Sequence, residues 1–386
     1  NDHLRDWPAG DTPRRAGVNA LGVGGTNAHM VLEEAPERTA SDESDWPFHA
    51  LCISGRNKAA LEANTAALAA HLRAHPEQPL ADVAFTLKNG RRGFEKRRVV
   101  VETEPVFADW MDRGLDHLQP QLDYDIRALW LPEDGQMDEA EKRLKTPSVQ
   151  LPLIAIVEYA LAQLWLSWGV KPAAMVGHSM GENVAACLAG VMTFEGLIDL
   201  VLLRGQLFDE VPAGGMLSIS ATLKAVTPFL GDDLDIASVN APELIAVSGP
   251  QAALDAMQER LEAQEIECQR IAIDIAAHSR MLDPILSRYR TFLQTLDLQA
   301  PQTPFMSNRT GDVITDAQAT DPDYWVGQLR NTVRFADCIT TLSAARKRVF
   351  LEVGPGKALS ALAQMNVGVA PAQVISTLRH PDQDIA

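Results

Sequence analysis

Apolar and polar positions alternate along the chain in two patterns, short apolar runs typical of strands and longer repeats typical of helices. Residues 151–168 predict a long apolar helix that ends at Gly169-Val170-Lys171-Pro172. A short run at 173–176 predicts a strand, and an alanine-rich helix is predicted over 182–190. Between them lies Gly177-His178-Ser179-Met180-Gly181. A strand, a sharp turn and a helix in this order expose a serine as a nucleophile, and we expect the flanking glycines to prevent clashes in the turn.

The pattern after residue 212 changes to short strands alternating with helices. Its order, βαββαβ, is typical of a ferredoxin-like unit, here inserted at 212–274 into a larger α/β domain. The predicted strands are 216–220, 234–239, 244–248 and 266–273, and the predicted helices are 223–230 and 252–264. The larger domain then resumes with a predicted helix over 281–296 and a strand and turn over 305–311. A helical segment over 324–335, a last strand over 349–353 and an irregular tail from 365 onward follow.

The N-terminal part predicts a separate, smaller α/β unit. A glycine-rich loop at 22–29 precedes a strand over 30–34, and an acidic, serine-containing interval at 37–45 is typical of a linker. A strand over 48–54, a helix over 58–74 and apolar runs at 80–87 and 97–101 follow.

Charge and composition exclude several classes of partner. The 386 residues carry a formal net charge of −17, which argues against nucleic acid and anionic membranes. We expect no transmembrane helix, no signal peptide, a cytoplasmic location and, because the first residue is Asn1, a piece of a longer chain. The four cysteines are widely scattered, so we expect buried reduced thiols and no metal site.

A serine nucleophile needs a base to take its proton. His178 is adjacent to Ser179 and too close in sequence to reach its hydroxyl, so we expect it to shape the turn. His278 is the better base, because it follows the predicted last strand of the insertion, where the chain returns to the larger domain. Arg204 lies on the predicted helix 194–208, where an ion pair on the helix surface is the simplest interpretation of the residue by itself.

Several motifs resemble the acyltransferase domain of modular type I polyketide synthases, relatives of malonyl-CoA:acyl carrier protein transacylases. They are GHSMGE, LVLLRGQLF, AHS followed by Asp283-Pro284, YWVGQLRNTVRF and FLEVGPGKAL. The resemblance implies five roles. Ser179 is the nucleophile, His278 the general base, Arg204 the partner of the extender-unit carboxylate, Met180 an oxyanion donor through its backbone N–H, and Gln328 the backbone carbonyl that orients the histidine.

Two flanking segments extend the resemblance over nearly the whole chain. PRRAGVNALGVGGTNAHMVLEEAP resembles the C-terminal end of a ketosynthase without its catalytic motifs, and LADVAFTL with the following GR, F and RR resembles the ketosynthase-to-acyltransferase linker. The implied fold is an α/β-hydrolase-like large subdomain with an inserted ferredoxin-like small subdomain, preceded by a small α/β linker domain. The predicted parts are a ketosynthase remnant (1–38), the linker domain (39–101), the large subdomain in two pieces (102–211 and 275–365), the small subdomain (212–274) and a tail (366–386).

The chain departs from this family after Val101-Glu102. A second helix and a core strand ending in a Phe-Pro-Gly-Gln-Gly-type motif are expected there, but the sequence continues directly with Thr103-Glu104-Pro105. Gly135-Gln136 lies in an acidic loop and is not a substitute. The second oxyanion N–H would come from the missing motif. We expect the natural molecule to contain residues that this sequence omits, and a truly deleted, impaired domain is the alternative.

The residues before the histidine, Ile275, Ala276 and Ala277, are expected to influence the choice of extender unit. They match neither the His-Ala-Phe pattern of malonyl enzymes nor the Tyr-Ala-Ser pattern of methylmalonyl enzymes. Met180 is not the glutamine common in methylmalonyl enzymes, so we favour malonyl-CoA, with methylmalonyl-CoA possible.

The resemblance implies an acyl-CoA donor, the phosphopantetheine thiol of an acyl carrier protein as acceptor, a neighbouring ketosynthase domain and no bound cofactor. Two other functions stay open. An α/β-hydrolase-type thioesterase shares the serine turn but needs an acidic residue between serine and histidine. A degenerate acyltransferase could serve only as a docking platform.

Overall fold

The computed structural model describes residues 6–8, 10–21, 25, 27–35, 48–91, 93–94, 96–103, 106–132, 136–345 and 348–378. Half of the glycine-rich loop (residues 22–24 and 26), the predicted linker at 37–45 and Gly135 lie outside these residues. The chain divides into two compact units, Asn1–Glu102 and Thr103–Ala386. The finer boundaries given above stay predictions.

The first unit contains two small sheets. Strands β1 (Arg15–Leu21) and β2 (Asn27–Glu33) pair antiparallel, with Arg15 opposite Glu33 and joined to it by an ion pair. Strands β3 (Phe48–Gly55) and β4 (Lys96–Thr103) form the second sheet. Helices α1 (Lys58–Ala74) and α2 (Leu80–Asn89) pack on β3.

The second unit begins with helices packed around α6. They are α3 (Val106–Leu118), α4 (Ile126–Trp130), α5 (Met137–Arg143), α6 (Pro147–Ser167), α7 (Met180–Leu188) and α8 (Phe194–Glu210), with a 3-10 turn at Gln119–Gln121. Apolar side chains occupy nearly every face of α6, because α3, α7 and α8 pack around it. This packing fixes the start of α7, where Ser179 lies.

Helix α6 is long and apolar enough to cross a membrane by length and composition. The expectation that the chain has no transmembrane helix stays a prediction. The window that meets the criterion is 61% buried inside the protein, which is typical of the core helix of a globular domain.

The inserted subdomain has the predicted ferredoxin-like fold. Its strands are β5 (Gly215–Ile219), β6 (Asp235–Ala241), β7 (Leu244–Gly249) and β8 (Cys268–Ile271), and its helices are α9 (Leu223–Val226), a 3-10 turn (Thr227–Phe229) and α10 (Gln251–Glu262). The sheet is antiparallel with the order β6-β7-β5-β8. Leu217, Val247 and Leu254 lie in its core.

The last part of the chain completes the large subdomain. It contains α11 (Leu286–Leu293), α12 (Asp316–Ala319), α13 (Pro322–Arg330), α14 (Phe335–Ser343), β9 (Phe350–Glu352), α15 (Ala358–Gln364), β10 (Val374–Ser376) and 3-10 turns at Arg280–Ile285 and Pro371–Gln373. The interval after residue 365 was expected to be irregular, but β10 pairs there in parallel with β9.

Two predicted strands of the large subdomain are reduced to single bridges. Met175 in the segment 173–176 pairs only with Phe305, and Met306 pairs only with Val313. Met175 N donates to Pro304 O, and Met306 N donates to Met175 O. A buried parallel strand needs partners on both sides. Among the described residues this segment has a partner on one side only, so the ladder stays short.

Candidate active site

The turn before α7 holds Ser179 in a conformation that is rare for a residue with a side chain. Ser179 has φ 54° and ψ −111° and is the N-cap of α7. A Cβ atom at Gly177 would lie 1.9 Å from the carbonyl carbon of Gly181, so only glycine fits there. A Cβ atom at Gly181 would meet nothing within 4 Å. The expectation that both glycines relieve clashes is therefore wrong for Gly181.

Two distant amide side chains hold the backbone of the turn. Asn308 Oδ1 accepts from Ser179 N at 2.8 Å, and Asn308 Nδ2 donates to Gly177 O at 2.8 Å. Gln328 Nε2 donates to Ser179 O at 2.6 Å. Both side chains are buried, so these bonds are shielded from water. Asn308 is not among the residues predicted for the site, and its position at the end of a short apolar run is its only signal in the sequence.

The structure brings the predicted nucleophile and base together. His278 Nε2 lies 2.7 Å from Ser179 Oγ, within the range needed for proton transfer. His278 Nδ1 lies 2.9 Å from the carbonyl oxygen of Asn331. The carbonyl of Gln328, the predicted partner, also acts on the ring, while the 2.9 Å hydrogen bond is with Asn331. Helix α13 ends at Arg330, and the extended C-cap residue Asn331 directs its carbonyl to the ring, while Gln328 holds the serine turn through its side chain.

Burial and nearby cations keep the His278 ring neutral. Burial is the largest cause that lowers its pKa, the charges of Arg204 and His178 act in the same direction, and the result is a pKa of about 3. The backbone carbonyls of Asn331 and Gln328 oppose this shift. A neutral imidazole that donates from Nδ1 leaves Nε2 free to accept the serine proton.

Arg204 lies beside the nucleophile. Its side chain is buried, its Nη2 donates to Ser179 Oγ at 2.8 Å, and its Nη1 lies 3.4 Å from Asn183 Oδ1. No ion pair of Arg204 occurs within the described ranges. Burial lowers the pKa of Arg204, but an arginine stays charged at physiological pH. The site therefore contains a buried positive charge that a carboxylate would neutralise.

His178 contacts the inserted subdomain. Its Nε2 lies 2.8 Å from Asn240 Oδ1 on β6, and its ring packs near Phe335. Burial lowers the pKa of His178. His178 thus does not act on the serine hydroxyl but joins the turn to the small subdomain.

The three predicted specificity residues occupy different environments. Ala276 is buried, and a Cβ atom at Gly214 would lie 2.7 Å from the Cβ of Ala276, so this residue packs at the start of the insertion. Ile275 packs against the main core, and Ala277 packs against a small cluster that includes Met216.

The Met180 N–H is the first of α7, so it has no intrahelical acceptor and is free to bind an oxyanion.

Within the part of the chain that the structure describes, no group of three or more His, Cys, Asp or Glu residues could hold a metal ion. The described cysteines are unpaired, and Cys187 and Cys338 are buried while Cys52 and Cys268 are partly exposed.

Comparison with known proteins identifies the class of this site. The family model for the acyl transferase domain matches residues 99–385, and the model for the CurL-like, PKS C-terminal region matches residues 49–105. The chain belongs to the acyl transferase domain family, and it carries a polyketide synthase C-terminal region of the CurL-like type before that domain.

Individual relatives agree with this assignment. The chain is 32% identical to a phenolphthiocerol synthesis polyketide synthase type I of Mycobacterium marinum over 99% of this chain and 21% of that protein. The solved acyl transferase domain of ZmaA is 32% identical, with a TM-score of 0.70 over 89% of this chain and 91% of that chain. The acyl transferase domain of SpnD, solved with a 2-(pent-4-yn-1-yl)malonyl group, is 30% identical, with a TM-score of 0.69 over 89% of this chain and 93% of that chain.

The chain spans about a fifth of the length of the mycobacterial relative, 21%. The alignment with that relative extends over 445 positions, which exceeds the 386 residues of this chain. The relative therefore contains residues that have no counterpart here.

Proposed function

We propose that this domain transfers a malonyl-type acyl group from coenzyme A to the phosphopantetheine thiol of an acyl carrier protein. Ser179 Oγ attacks the thioester carbonyl while His278 Nε2 takes the hydroxyl proton. The C–S bond then breaks, and the coenzyme A thiolate leaves with that proton. In the second half-reaction, the carrier thiol gives its proton to His278 and attacks the acyl-serine ester; the C–O bond breaks, and the Ser179 oxygen leaves with that proton.

The observation that carries this proposal is the placement of Arg204 at the nucleophile, 2.8 Å from Ser179 Oγ, without an ion pair among the described residues. A fixed planar cation selects an acyl group that ends in a free carboxylate over a neutral one. The malonyl derivative bound to the SpnD domain belongs to this class. We favour malonyl-CoA as the donor, with methylmalonyl-CoA as a possible second donor, no bound cofactor, and a ketosynthase domain as a partner in the parent synthase.

The partner of His278 Nδ1 argues against a hydrolase. A thioesterase of the α/β-hydrolase class would place a carboxylate at this nitrogen, whereas here a backbone carbonyl, that of Asn331, lies there. In this proposal Met180 N–H is one oxyanion donor. Loss of one donor costs about 10²- to 10³-fold in rate, so we expect this chain, as given, to be acylated slowly.

Intact-mass measurement of the acyl-enzyme across a panel of acyl-CoA thioesters tests the proposal. We expect a malonyl adduct, none with Ser179→Ala, and transfer of the malonyl group to a carrier protein that is added later. Arg204→Ala should shift the preference from malonyl-CoA to acetyl-CoA. Release of free malonate without loading of the carrier would favour the thioesterase. A well-folded chain that no acyl-CoA acylates would favour the docking platform.

A further inference from the structure

Arg204 and two buried side chains near it each have a polar atom without a hydrogen-bond partner among the described residues. The atoms are Arg204 Nε, Asn183 Nδ2 and Tyr289 Oη. Asn183 and Tyr289 are fully buried, with 0% of each residue exposed, and Arg204 is 3% exposed. Buried polar groups in native proteins almost always have partners, so three unpartnered groups at one site require an explanation.

The three groups come from three helices, of which α8 packs against the other two. Asn183 lies in the first turn of α7, Arg204 on α8 and Tyr289 on α11, and α8 packs against both α7 and α11. Asn183 Oδ1 faces Arg204 Nη1 at 3.4 Å, which leaves the amide nitrogen free. The charge of Arg204 acts on Tyr289 and opposes the rise in the Tyr289 pKa to about 12 that burial causes.

The chemistry of these atoms indicates the charge of their ligand. An arginine Nε and an amide nitrogen are donors only, and a tyrosine hydroxyl that stays protonated donates as well. A carboxylate accepts several hydrogen bonds through its two oxygens. The surroundings therefore fit an anion and not an ammonium group.

Glu182 is the acidic side chain close enough to act on both Arg204 and Tyr289. Its Oε1 accepts a hydrogen bond from Tyr324 at 2.5 Å, while its Oε2 has no partner. Burial raises the pKa of Glu182 to about 7, so its carboxyl group is mostly neutral below that pH. Glu182 then leaves the positive charge of Arg204 available to a bound anion.

We propose that Tyr289 and Asn183 are substrate-binding residues that, with Arg204, form a three-donor subsite for the free carboxylate of the acyl group. This inference rests on the proposed acyltransferase function and names two residues that determine its selectivity. In the free domain the three buried donors destabilise the fold, because they lack the hydrogen bonds that water would give them. The bound carboxylate supplies these hydrogen bonds. A side chain with the same shape but no donor should therefore leave the fold intact and weaken selection of the dicarboxylic substrate.

Tyr289→Phe and Asn183→Leu test the subsite. For each variant we expect kcat/KM of acyl-enzyme formation with malonyl-CoA to fall about tenfold, mainly through KM, because each loses a hydrogen bond to a charged group. In Tyr289→Phe the rate with acetyl-CoA, which lacks the carboxylate, should stay unchanged. The melting temperature of Tyr289→Phe should equal or exceed that of the unmodified protein, because an unpartnered buried hydroxyl is removed.

Tyr159→Phe is the matched control, because Tyr159 is a buried tyrosine in the aromatic cluster with Trp110 and Phe194, and it should leave the malonyl-to-acetyl ratio unchanged. An unchanged ratio in Tyr289→Phe, or an equal loss with both thioesters, would overturn the subsite.

If no acyl-CoA acylates the unmodified protein, the proposed function fails, and the subsite is then tested with free malonate. A rise in melting temperature with malonate in the unmodified protein that is absent in Tyr289→Phe would support the subsite. An equal rise in both proteins, or none in either, would overturn it.

Discussion

His178 Nε2 lies 2.8 Å from Asn240 Oδ1, and this contact joins the turn that carries Ser179 to strand β6 of the inserted subdomain. Neighbouring bonds strengthen the same junction. Val239 N donates to Val333 O, Val333 N donates to Ala237 O, and Asn366 Nδ2 donates to Asn240 O. Strand β6 of the inserted subdomain is thus hydrogen-bonded to the serine turn, to Val333 after α13 and to Asn366 after α15.

Asn240→Leu should destabilise the domain by about 1 kcal/mol, because half-buried His178 then loses its partner. Denaturant unfolding measures this change, and the rate of Ser179 acylation should fall with it as the turn loosens. Asn64→Ala removes a comparable amide that bonds Ser54 O at an exposed position and should have little effect. Equal unfolding free energies for both variants would contradict a structural role for the junction.

Gly177→Ala and Gly181→Ala should differ sharply although both change a glycine of the same motif. The added methyl at Gly177 would overlap the backbone of Gly181, whereas the methyl at Gly181 has open space. Gly181 lies in helix α7, where alanine is favoured over glycine by about 1 kcal/mol. We expect Gly181→Ala to keep or raise the melting temperature and Gly177→Ala to lower it strongly. A lower melting temperature for Gly181→Ala than for Gly177→Ala would contradict this description of the turn.

The pH dependence of acylation should reflect the low pKa of His278, about 3. A histidine with an unperturbed pKa of about 6.5 would be mostly protonated at pH 5.5, and its activity as a base would fall to about a tenth. We expect the acylation rate at pH 5.5 to keep more than about half of its value at pH 7.5. A fall centred near pH 6.5 would contradict this prediction.

The lowered pKa of His278 also makes the folding stability of the domain depend on pH below neutrality. Because the pKa of His278 is lower in the folded state, its contribution to stability is present above pH 6.5 and is lost as the pH falls toward about 3. His278→Gln should reduce this loss, whereas His71→Gln, at an exposed position on α1, should not. Melting temperatures measured between pH 7 and pH 4 give the comparison.

Glu158 on α6 should reduce stability at alkaline pH. Burial and, second, the charge of Glu352 raise the pKa of Glu158 to about 8. A carboxyl group whose folded pKa is raised contributes stability below its ordinary value of 4.5, and that stability is lost as the pH rises through about 8. Glu158→Gln should therefore raise the melting temperature more at pH 8.5 than at pH 5.5. The exposed Glu141→Gln is the control, and an equal effect at both pH values would contradict the shift.

Local sequence patterns determined several features of this protein. The turn at Ser179 is defined by the apolar run, the glycine-flanked serine and the following helix. Its conformation depends on residues that are neighbours in the chain. The alternation of short strands and helices after residue 212 likewise determined the ferredoxin-like fold of the insertion. The helical pattern placed Arg204 on a helix, and the motif resemblance connected it with Ser179 and His278.

Only the tertiary structure decided which groups surround these residues. Asn308 is 129 positions from Ser179, and Asn331 joins the predicted Gln328 at the His278 ring, because the end of α13 sets the direction of its carbonyl groups. Tyr289 joins the site because α11 packs on α8. Such partners are selected by the packing of distant elements, and no pattern of neighbouring residues encodes a hydrogen bond across that separation.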